Sequence, residues 1–76
     1  MRSVDLPWEA WRAIIEALRA KGLPSMVGHA ARLERMLDAT PAGRPTMRMS
    51  LSDDLYLRSF NWARLQLGVD LPDERG

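Results

Sequence analysis

One imidazole, His29, and two adjacent carboxylates, Asp53 and Asp54, are the side chains best suited to proton chemistry in this 76-residue chain. Histidine is the residue type whose proton moves near neutral pH. As a catalytic base it needs an acid to orient it and a nucleophile within reach. No sequence neighbour of His29 supplies both, and the local spacing sets it on the polar face of a helix with Arg32. Adjacent helix positions do not face one another, so Asp53 and Asp54 read as helix-start residues. The chain has no cysteine, which removes disulfides, thiolate nucleophiles and thiolate metal sites together. One histidine is too few for a zinc site built from several N or S ligands. There is no glycine-rich phosphate loop, nucleophile elbow or zinc helix motif. The expectation is no enzyme, with no catalytic, metal or cofactor-binding residues.

The aromatic and thioether residues say more. Three tryptophans in so short a chain carry large apolar area, each with an N–H that wants a partner. Trp11 lies midway along a clean helical stripe and reads as core. Trp8 sits at a strand–helix junction, and Trp62 lies off the main stripe of its helix. Tryptophan often anchors hot spots, and methionines can form an adaptable contact surface. A protein partner is therefore expected at Trp8, Met47, Met49, Leu55 and Trp62, a surface centred on the third helix and the strand edges.

The elements that carry these residues follow from period and punctuation. Residues 3–6 alternate, with Val4 and Leu6 on one face, and Pro7 ends the strand while suiting the first turn of a helix. Trp8, Trp11, Ile15 and Leu18 then fall at spacings of three and four, and Gly22 stops that helix. Ser25 is the expected N-cap of a second helix with Met26, Val27, Ala30, Leu33 and Leu37 as its stripe. His29, Arg32, Arg35 and Asp38 face away. Gly28 costs that helix about 1 kcal/mol relative to alanine, which a close approach to another backbone would explain. Residues 38–45 read as loop around Pro41, Gly43 and Pro45. Met47, Met49 and Leu51 alternate with Arg48 and Ser50 as a second strand. Ser52, Asp53 and Asp54 open a third helix over residues 53–68. Tyr56, Phe60, Ala63 and Leu67 mark one of its faces, Leu55 and Trp62 another, and a helix apolar beyond one face is normally buried on more than one side.

The fold class expected is mainly α (α+β), three helices and two short strands in the order strand–helix–helix–strand–helix. The strands pair with each other or with a symmetry mate. Residues 1–70 form a single compact domain, and 71–76 a frayed acidic tail. A chain this small has a thin stability margin, and with disulfides and metals set aside a homodimer is the expected remedy.

Eleven basic residues oppose ten acidic ones for a net charge of +1, so no global field draws the chain to nucleic acid or to an anionic membrane. Between Arg12 and Arg48, seven basic residues face three acidic ones, a mildly basic stretch. The longest aliphatic run, Ala13-Ile14-Ile15, is far too short for a signal-peptide core or a membrane span. The expected setting is the cytoplasm of a bacterium or of a cell hosting a phage.

Residues 2–37 resemble a ribbon-helix-helix repressor. The likeness rests on a short alternating strand, Leu6-Pro7 at the helix start, a first helix ended by Gly22 and a serine-capped second helix. It covers about half the chain; the second strand and the aromatic third helix lie outside it. The resemblance implies strands paired across a dimer, with Arg2, Ser3 and Asp5 turned toward the major groove. Arg2, Arg32, Arg35, Arg44 and Arg48 would then contact phosphates, which supply most of the affinity in such complexes. Asp5 has the wrong sign for that setting, and basic residues near the strand are few. The first reading is accordingly a non-enzymatic accessory protein that binds a protein partner and self-associates, with no small-molecule substrate. A small DNA-binding regulator is the alternative.

Overall fold

In the computed structural model, which describes residues 2–40, 43 and 45–69, the expected element order is the observed one. Strand β1 (Arg2–Pro7) leads without a break into helix α1 (Trp8–Lys21), followed by α2 (Pro24–Ala39) and strand β2 (Thr46–Leu51). The third helix opens at Asp53, passes through a π-helical segment (Leu55–Phe60) and ends as α3 (Asn61–Leu67). The proposed tail, residues 71–76, lies outside the described residues.

The two strands pair with each other, antiparallel, with Val4 opposite Met49 and Leu6 opposite Met47. Strand alternation then puts Val4, Leu6, Met47, Met49 and Leu51 on one buried face. A lone two-stranded ribbon is marginal unless helices cover it, and α1 lies across this one. Trp11, Ile14, Ile15 and Leu18 are the buried stripe of α1. Trp11 is completely buried, and its indole N–H donates to the Met47 carbonyl oxygen at 2.9 Å. One side chain thereby ties the first helix to the second strand and satisfies its own polar atom.

Gly22 ends α1 in the left-handed conformation (φ 78°), with its N–H directed at the Leu18 carbonyl. A side chain there would be strained whatever the space. The second helix departs from expectation in four ways. It starts at Pro24 with Leu23 as the cap, not at Ser25. Proline suits the first helical position because the N–H it lacks would have had no partner. Gly28 is exposed, and a Cβ built on it would meet nothing within 4 Å, so no close backbone approach accounts for it. Val27 is exposed and His29 is turned inward. The buried stripe is Met26, Ala30, Leu33 and Leu37. The helix also runs to Ala39, past the Asp38 at which the loop was expected to begin.

Ser52 caps the third helix as expected, its hydroxyl oxygen accepting from the Leu55 N–H at 3.2 Å. The π segment is the unforeseen feature. The Asn61 N–H reaches back five residues to the Tyr56 carbonyl, the hydrogen-bond step of a π turn. The wider turn lets Leu55, Ser59 and Phe60 all face inward, which strict α spacing does not allow for residues five apart. Phe60 packs between Trp11 and Tyr56, with ring centroids 5.6 and 5.4 Å away. Gly68 closes α3 at φ 71°.

Candidate functional site

Three places outside the core gather functional side chains. The first is the outward face of the third helix. Leu57 is 59% exposed and Leu65 63% exposed, with Leu67 at 43%. A π turn advances roughly 85° per residue where an α turn advances about 100°, which brings Leu57 to within about 20° of Leu65 around the axis. The two leucines thus form one line opposite the buried side. Arg58 flanks it, highly exposed and 3.1 Å from Asp54, and Arg64 donates through Nε to Asn61 Oδ1 at 2.9 Å. No acidic residue lies between Leu55 and Val69. With Arg58 paired to Asp54 and Arg64 to Asn61, the rim of this apolar line is polar.

The second place is a serine–histidine–aspartate cluster. His29 Nδ1 on α2 lies 2.6 Å from Ser59 Oγ on the π segment, and its Nε2 lies 3.7 Å from Asp54 Oδ2. With the ring proton on Nε2, toward the carboxylate, Nδ1 accepts the serine hydroxyl proton. These are the residue types of an acyl-transfer triad, brought together across 30 residues of sequence that local reading could not bridge. Ser59, however, is fully buried, so no substrate carbonyl can approach its Oγ from solvent. What the geometry does is pin α2 to the third helix and give a buried hydroxyl its partner. Among the described residues no group of three or more histidine, cysteine, aspartate or glutamate side chains could hold a metal ion.

The third place is a cleft of about 590 Å³ at the sheet margin. Asp5 and Arg48 line it from the strands, with Trp8 from the start of α1 and Thr40 from the end of α2. Asp5 and Arg48 are register partners, with Oδ2 and Nη2 3.9 Å apart.

The residues expected at a protein-docking surface separate sharply. Met47, Met49 and Leu55 are buried in the chain's own core, because the sheet turns its methionines toward α1 and the π turn rotates Leu55 inward. Trp62 is half-buried, with Lys21 Nζ of α1 5.4 Å from its ring centroid. Trp8 is half-buried against the core. Leu57, Leu65 and Leu67 were missed at the sequence level. A count of surplus apolar positions on that helix was the available signal, but the π shift decides which of them end outside. Of the arginines expected on phosphates, Arg2 stacks over Tyr56 at 4.8 Å from the ring centroid, and Arg48 faces Asp5. Arg32 and Arg35 are exposed on α2, and Arg44 lies outside the described residues.

Comparison with family models, curated proteins and solved structures finds no match for this chain. Among the described residues, no helix is long and apolar enough to cross a membrane.

Proposed function

We propose that this chain is a non-enzymatic interaction protein that docks a protein partner through the outward face of its third helix. The observation that carries the proposal is the exposure of Leu57 and Leu65, both more than half open, on a helix that buries Leu55, Ser59, Phe60 and Ala63. Single exposed leucines are ordinary, whereas aligned ones rimmed by polar residues mark contact surfaces. The exposed leucines set the partner's chemistry: an apolar ridge with a polar border. Self-association belongs to the same reading and draws on Leu23 and Val27, exposed at the α1–α2 turn.

Among the described residues, the DNA-binding alternative keeps Arg32 and Arg35, exposed on α2. β1 is hydrogen-bonded to β2 of its own chain, and Arg2 and Arg48 are engaged with Tyr56 and Asp5. The test is paired capture from the native host with the wild type and with the doubly substituted Leu57→Glu/Leu65→Glu chain. One protein retained by the wild type and lost with the variant is the expected result. Equal retention by both chains would refute the proposal.

A further inference from the structure

We draw no further inference here: the strongest candidate, the pair of edges of the β1–β2 sheet that no third strand extends among the described residues, leaves a row of backbone groups unpaired along each strand, but nothing in the structure shows what covers it.

Discussion

Trp11 and Trp62 are the same residue type on helices packed against one another, yet their surroundings differ in every respect that matters. Trp11 is sealed between sheet, α1 and Phe60, and its N–H has a backbone acceptor. Trp62 keeps part of its ring at the surface under a lysine, three positions from the exposed Leu65. The first closes the fold; the second borders a face that the fold does not close. Apolar content alone does not separate these roles. What separates them is whether the helix turn points the ring at other elements of the chain, and whether its polar atom finds a partner there.

Substitutions can break or sharpen that contrast. The largest effect is expected for Trp11→Ala, a loss of about 3–5 kcal/mol for deleting a buried aromatic. In a domain this small that leaves little or no folded protein by denaturant-monitored circular dichroism. Trp62→Ala should cost clearly less in the same assay, and equal losses would erase the distinction. His29→Ala should cost about 1–3 kcal/mol by orphaning the buried Ser59 hydroxyl. Ser59→Ala should cost less, since the partly exposed His29 ring can turn to water. Equal penalties would mean the pair does not clamp the helices as described. Gly28→Ala should stabilise by about 0.5–1 kcal/mol, because the added methyl meets open space on a helix. The smallest stability effect belongs to Leu57→Glu/Leu65→Glu, within about 0.5 kcal/mol of the wild type, as for surface positions without special roles. A larger loss would show these leucines to be structural.

Much of the fold was legible because its signals are local. Alternation gave both strands and the inward set Val4, Leu6, Met47, Met49 and Leu51. The three- and four-residue spacing gave the α1 stripe, glycine its stop, and Ser52 the third helix cap. Misplaced features depended on long-range geometry. His29 looked solvent-facing until the π segment of a distant helix put Ser59 beside it. Leu55 and the two methionines looked available for docking because the sequence does not say which apolar face a neighbouring element will cover. The π turn moved Leu57 outward and Leu55 inward. Patterns built on α periodicity assign those positions wrongly whenever one turn widens.

Site-specific photo-crosslinking in the native host addresses the central claim most directly. A photoreactive residue replaces Leu57 or Leu65, and the exposed Arg12 of α1 serves as the control. One and the same protein should be trapped from positions 57 and 65, and not from 12. Adducts equally abundant from all three positions, or none from 57 and 65, would contradict the account.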